Sequence, residues 1–158
     1  MELIFSNQDY TQLKHELTTP IMAILETYIA DIICHAPRYL CFSVPFRSNY
    51  LASAYLAEQV RKHHDCITIV GGSAIAWSAK EHLECMIPVD LLDIFCFSEA
   101  DITLPDVITH LEAKKTPIGK IPELVPGTAI LRNDLPGNRF YARNPSPEIL
   151  IDLDDIPT

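Results

Sequence analysis

Two stretches decide the fold: Cys66–Ala74, CITIVGGSA, and Val89–Ala113, VDLLDIFCFSEADITLPDVITHLEA. In the first, a short continuous apolar run of the kind buried on both faces ends in Gly71-Gly72. In the second, an apolar run reaches Ser98-Glu99-Ala100-Asp101 and passes into a stripe of Leu104, Val107, Ile108 and Leu111 at helical spacing. Each reads as a strand followed by a helix. In parallel α/β sheets, ligands sit beyond the carboxyl ends of the strands. Both runs therefore end where a ligand would be held. The groups at those ends are backbone amides, small side chains and one acidic pair, with no nucleophile, which suits a cradle for a bulky cofactor better than a catalytic centre.

The same alternation extends upstream. Thr19-Pro20 is a helix start, with Thr as N-cap and Pro at the first helical position. Ile21, Ile24, Leu25, Tyr28, Ile29 and Ile32 then form one wide apolar stripe, expected to pack on a sheet. Tyr39–Phe46 (YLCFSVPF) reads as a buried strand, with Pro45 tolerated near its end. Ser48 is positioned to cap a helix that carries Leu51, Ala52, Tyr55, Leu56 and Val60 inward. A strand over Cys66–Val70, a short helix over Ser78–Met86, a strand within Leu91–Phe97 and a helix opened by Thr103 and Pro105 follow. Alternation of this kind predicts a parallel sheet with flanking helices. After Thr116 prolines recur, and Val125–Arg132 and Arg139–Arg143 flank NDLPGN, which predicts a β-hairpin and an extended tail.

Composition narrows the classes. A chain of 158 residues, 48% hydrophobic and 21% charged, is globular and can bury a core. Its net charge of −9 and scattered basic residues argue against nucleic-acid binding. The nearest basic cluster, Arg61-Lys62-His63-His64, reads as a solvated helix end. Cys34, Cys41, Cys66, Cys85 and Cys96 lie mostly in apolar runs, without C-x-x-C spacing, and read as reduced thiols of a cytoplasmic protein. There is no leader and no run of membrane-spanning length, so no membrane partner is expected. His35, His63, His64, His82 and His110 show no ligand spacing and mostly mark helix ends. Trp77 is placed to lie over a flat ring or to lid the core, and Tyr10 and Tyr141 are unassigned.

Taken in order, these segments resemble the cobalamin-binding domain that precedes the catalytic barrel in many radical S-adenosylmethionine enzymes. CFSVPFRSNYLASAYLAEQVRKH (41–63) resembles that family's strand with a small polar residue before an Ala- and Leu-rich helix. CITIVGGSA resembles its strand ending in Gly-Gly, and Ser98–Asp101 stands where the family has Gly-Glu-Gly-Glu before a leucine-rich helix. IGKIPELVPGTAILRN (118–133) and LIDLDDIPT (150–158) resemble its closing hairpin and linker. MELIFSNQDY (1–10) resembles a segment of the branch that matures ribosomally made peptides.

The resemblance implies an incomplete flavodoxin- or Rossmann-like domain over residues 1–116, and over 117–158 a hairpin and linker leading to a radical S-adenosylmethionine barrel. It implies cobalamin as cofactor, held at its lower face and nucleotide tail by Ser43, Gly71, Gly72, Ser73, Ser98 and Glu99, with Gly72 letting backbone approach the ring. The full-length enzyme would transfer a methyl group to a peptide. The partners implied are a radical S-adenosylmethionine catalytic domain or peptide substrate. This chain carries no Cys-x-x-x-Cys-x-x-Cys triplet, hence no site for an iron–sulfur cluster or S-adenosylmethionine, and cannot make the radical itself. It also lacks both motif glycines, Asp-x-His-x-x-Gly and the two strands that open such a domain. The missing strands imply apolar surface beside the first strand, and with it a homodimer or a poorly behaved monomer. They also support a contrasting reading, a non-catalytic interaction module or eroded remnant of the fold. A flavodoxin-like protein with another nucleotide ligand is a third reading, opposed by the lack of a phosphate-cradling loop.

Overall fold

The computed structural model describes residues 11–12, 19–75, 91–97, 100–115, 126–135 and 138–143. The expected Ser78–Met86 helix, the opening decapeptide and the proline-rich tail lie outside them, as do Pro136 and Gly137 of the NDLPGN turn. Among the described residues the elements are α1 (Thr19–His35), β1 (Tyr39–Ser43), α2 (Arg47–Arg61), β2 (Ile67–Gly71), β3 (Ile94–Cys96), α3 (Ala100–Ala113), β4 (Thr128–Leu135) and β5 (Asn138–Arg143). They form an α/β structure, a mixed sheet in the order β1-β2-β3-β4-β5 with flanking helices.

The first three strands pair in parallel, as the alternation of apolar runs and helical stripes predicts. Tyr39 stands opposite Ile67 and Ser43 opposite Gly71; Ile69 stands opposite Ile94. The sheet as a whole is not parallel, however. Thr128 pairs with Cys96 and Ile130 with Ile94 in the antiparallel sense, and β5 pairs antiparallel with β4.

Strand alternation sorts the side chains onto two faces. Val70, Phe95 and Ala129 point to one face, against Tyr50, Leu51, Ala54, Tyr55 and Ala57 of α2. Ile67, Ile69, Ile94, Cys96 and Ile130 point to the other, against Leu104, Val107, Ile108 and Leu111 of α3. Val107 and Leu111 are fully buried there, and each such side chain contributes roughly 1.5–3 kcal/mol by leaving water.

Several boundaries and faces differ from expectation. β1 stops at Ser43 and not Phe46, because Val44 turns to bond the end of β2 and Pro45 follows. β3 is confined to Ile94–Cys96. Phe46, not Ser48, occupies the N-cap of α2 and makes no side-chain cap. The inward face of α2 is carried by Tyr50, Ala54 and Ala57 as well as Leu51, Tyr55 and Val60, while Ala52 and Leu56 are half-buried. Small side chains at 54 and 57 let the helix axis approach the sheet. α3 begins at Ala100, so Pro105 lies inside it and Asp101 falls within its first turn.

The α1 stripe is divided. Met22, Leu25, Ile29 and Ile32 pack inward, whereas Ile21, Ile24 and Tyr28 are 47%, 57% and 59% exposed. A wide arc of apolar residues can serve two surfaces, and here one of the two is bare among the described residues.

Candidate functional site at the carboxyl ends of the parallel strands

Four of the six candidate residues, Ser43, Gly71, Gly72 and Ser73, come together at the carboxyl ends of β1 and β2. Ser98 and Glu99 lie outside the described residues, as do Tyr10, Trp77, His82 and Cys85. Ser43 and Gly71 face each other across the β1–β2 ladder. The Ser43 side chain is exposed and has no hydrogen-bond partner among the described residues. A Cβ on Gly71 would rest at 3.4 Å from the Cβ of Cys96, an ordinary contact.

Gly72 is the more constrained of the two glycines. Its φ is +111°, a conformation L side chains rarely adopt, and a Cβ there would lie 2.7 Å from the Val44 carbonyl oxygen and 2.8 Å from Val44 N. The close approach that requires glycine is therefore to the chain's own backbone. The same loop is tied down on both sides. Val44 N–H donates to the Gly71 carbonyl at 2.7 Å, and Ala74 N–H donates to the Val44 carbonyl at 3.1 Å. The Ser73 hydroxyl donates to the Pro45 carbonyl at 3.0 Å. Val44 is fully buried. The residues after β1 thus fill the space over the Gly-Gly turn, and Ser73 spends its hydroxyl on them.

The strand order adds to this. A ligand crevice in an open α/β sheet forms where the strand order reverses. β1, β2 and β3 follow one another without reversal, so no such crevice opens among the described strands.

The polar chemistry of the sheet lies at its other end. Asp93, immediately before β3, accepts from Thr68 N–H at 2.8 Å and from the Thr68 hydroxyl at 2.9 Å, and it pairs with Arg61 of α2. Asp93 N–H in turn donates to Thr68 Oγ1 at 2.9 Å. Arg61 and Asp93 are only 22% and 16% exposed, so this pair joins α2, β2 and β3 in a largely desolvated setting. Reading residues 61–64 as one solvated cluster is corrected: Arg61 turns inward, and His64 Nε2–H donates to the Pro37 carbonyl at 3.0 Å. Only Lys62 and His63 are exposed. Nearby, Glu112 of α3 accepts from Tyr39 Oη at 2.6 Å and from Arg38 at 3.2 Å. Burial, then the Glu112 hydrogen bond, pushes the Tyr39 phenol up to about 12. The one signal in the chain for Asp93 is a lone carboxylate inside an otherwise apolar run.

The thiols divide by position. Cys34 and Cys41 are exposed, and Cys66 and Cys96 are buried and free. Burial pushes the Cys96 thiol up to about 12 and raises that of Cys66. Cys41 sits on β1 with enough protein around its sulfur that desolvation raises its thiol too. His35, in the last turn of α1, donates from Nδ1 to the Asp31 carbonyl at 2.8 Å, and His110 lies in the last turn of α3. No group of three metal-ligating side chains occurs among the described residues, and no described helix is long and apolar enough to cross a membrane.

Comparison of the chain with protein-family models, with curated proteins and with solved structures finds no match in any of the three.

Proposed function

We propose that this chain is a non-catalytic interaction module that keeps an incomplete flavodoxin-like, cobalamin-binding-like domain with a closing β-hairpin but has lost the ligand cradle. One observation carries the reading: the Val44–Pro45 backbone fills the space over Gly72 and takes the Ser73 hydroxyl. A cofactor's nucleotide tail entering there would have to displace the protein's own chain. Free, buried thiols at Cys66 and Cys96 fit a reducing, cytoplasmic setting.

The second reading is a functional cobalamin-binding module of a peptide-maturing radical enzyme. It is favoured by the exposed Ser43 hydroxyl beside Gly71, two small groups at one strand end.

Hydroxocobalamin titration separates the two. A ligand bound only by the folded state raises the melting temperature by mass action. On the interaction-module reading, millimolar hydroxocobalamin leaves both the corrin spectrum and the melting temperature unchanged. A perturbed corrin spectrum with a thermal shift, lost in Ser43→Val, would replace that reading with the second.

A further inference from the structure

The bare flank of α1 and the first strand of the sheet share one edge of the molecule. β1 is the terminal strand of the sheet, and no described residue pairs with its outer side. Around α1, Met22 meets Tyr55 of α2, and Ile32 lies in the cluster of Leu40 and Val60. At 3.6 residues per turn, continuing round the helix in that sense from Met22 through Leu25 and Ile32 leads next to Ile21, Tyr28 and Ile24. These are the exposed residues, so the stripe faces away from α2, on the side where the sheet ends at β1. An unpaired strand and an apolar helix flank thus point the same way.

The geometry points to a second copy of this chain as the occupant of that edge, joined by antiparallel pairing of β1 with its symmetry mate across a two-fold axis. This inference gives the interaction-module reading its partner, and it fails or holds separately from ligand binding.

Three features favour self-pairing. The strand Tyr39-Leu40-Cys41-Phe42-Ser43 carries no charged side chain, so two copies meet without like charges opposed despite the net charge of −9. On the α1 side of the seam, Ile21, Ile24 and Tyr28 are uncharged, and Glu26 lies round the helix from them. Finally, the strand is bounded by Arg38, which is held by Glu112, and by Val44-Pro45, which turn away to β2. Only a two-fold centred on Cys41 pairs all five residues. Leu40 then opposes the mate's Phe42, and Cys41 opposes the mate's Cys41. Opposed residues of an antiparallel pair share a face, so both α1 stripes lie over the seam and meet. Closed two-fold dimers are also the commonest soluble assembly.

The register has a chemical readout. Directly opposed antiparallel residues have Cα atoms about 4.5–5.5 Å apart, within the range a disulfide spans. In the full chain with Cys34→Ser and Cys85→Ser, mild oxidation is expected to link Cys41 to the mate's Cys41, and sedimentation velocity is expected to show a dimer across the micromolar range. Ile24→Lys with Tyr28→Lys places charge on exposed positions. It is expected to weaken the dimer roughly tenfold or more while the urea midpoint of the monomer stays in place. A concentration-independent monomer overturns the proposal. So does a dimer that neither links through Cys41 nor responds to the lysines. A monomer whose Cys41 resists thiol reagents until unfolding also overturns it, because another part of the same chain then covers the edge.

Discussion

The two ends of the parallel strands are built from different materials. At the amino ends, side chains join the layers: Asp93 gathers Thr68 and Arg61, and Glu112 gathers Tyr39 and Arg38. At the carboxyl ends backbone does the joining, with Val44 bonded to Gly71 and Ala74 and Pro45 accepting from Ser73. In a ligand-binding α/β domain the carboxyl ends are left open for a guest and the amino ends carry stability. Here the amino ends conform, and the carboxyl ends of β1 and β2 are closed from within. A Gly-Gly turn or a strand-end serine is therefore only half of a ligand signal. The other half is whether neighbouring loops stay clear of it.

The comparison breaks most readily at Gly72. Gly72→Val forces a side chain into the Val44 backbone at positive φ and is expected to cost on the order of 3 kcal/mol or more, read as a lowered urea midpoint. Gly71→Ala meets only Cys96 at ordinary contact distance and is expected to stay within about 1 kcal/mol of the parent. Similar losses at both would mean that the backbone closure over Gly72 is not what holds that end. At the amino end, Asp93→Ala leaves Arg61 largely desolvated and the Thr68 amide without its acceptor. A loss of about 2–4 kcal/mol is expected, kept below the fully buried figure by residual exposure of the pair. Its carboxyl-end counterpart, Ser73→Ala, removes one exposed hydrogen bond and is expected to cost about 1 kcal/mol or less. A Ser73→Ala loss matching that of Asp93→Ala would erase the distinction between the ends.

At neutral pH the two ends share one further, silent contribution that appears only in alkali. Cys66 stands just before β2 and Cys96 closes β3, and burial raises both thiols. A thiol whose folded pKa is raised stays neutral while its unfolded counterpart ionises. Stability is then full below the unfolded thiol pKa and falls as pH rises above it, until the folded value is reached. For Cys96, pushed up to about 12, the loss approaches about 1.4 kcal/mol per pH unit once the pH exceeds roughly 9, and Cys66 acts in the same direction. Denaturation midpoints of Cys96→Ala and Cys66→Ala between neutral pH and pH 10 measure the two ends separately. A parent midpoint that does not fall over this range would contradict burial of both thiols.

How much of this was legible beforehand differs by element. β2 and β3 declare themselves through apolar runs, because a strand covered on both faces has little polar side to show; Tyr39–Phe46 reads the same way, yet Cys41 and Ser43 of β1 are exposed at the edge of the sheet. The helix faces were harder to place. Ile21, Ile24 and Tyr28 belong to the same periodic arc as Leu25 and Ile29, and nothing in periodicity says where a neighbour stops covering an arc. Arg61 reads as solvated because it ends a helix beside Lys62 and His63. Its long side chain reaches back to Asp93, thirty-two residues away in sequence. The Gly-Gly turn is legible locally, but its approach to Val44 is also a long-range contact that local sequence does not show. That β4 would extend the sheet beside β3 rested on pairing partners, which local sequence does not encode.

Val44 also sets a kinetic and population limit on anything that would use this end of the sheet. Admitting a guest over Gly72 requires its two backbone hydrogen bonds and the Ser73–Pro45 bond to open together. At about 1 kcal/mol net for each, the opened form would be populated roughly a hundredfold less than the closed one. A ligand that fits the opened form at micromolar affinity would then bind with an apparent constant near a tenth of a millimolar. Its association would be governed by how often the loop lifts and not by how often the two molecules meet.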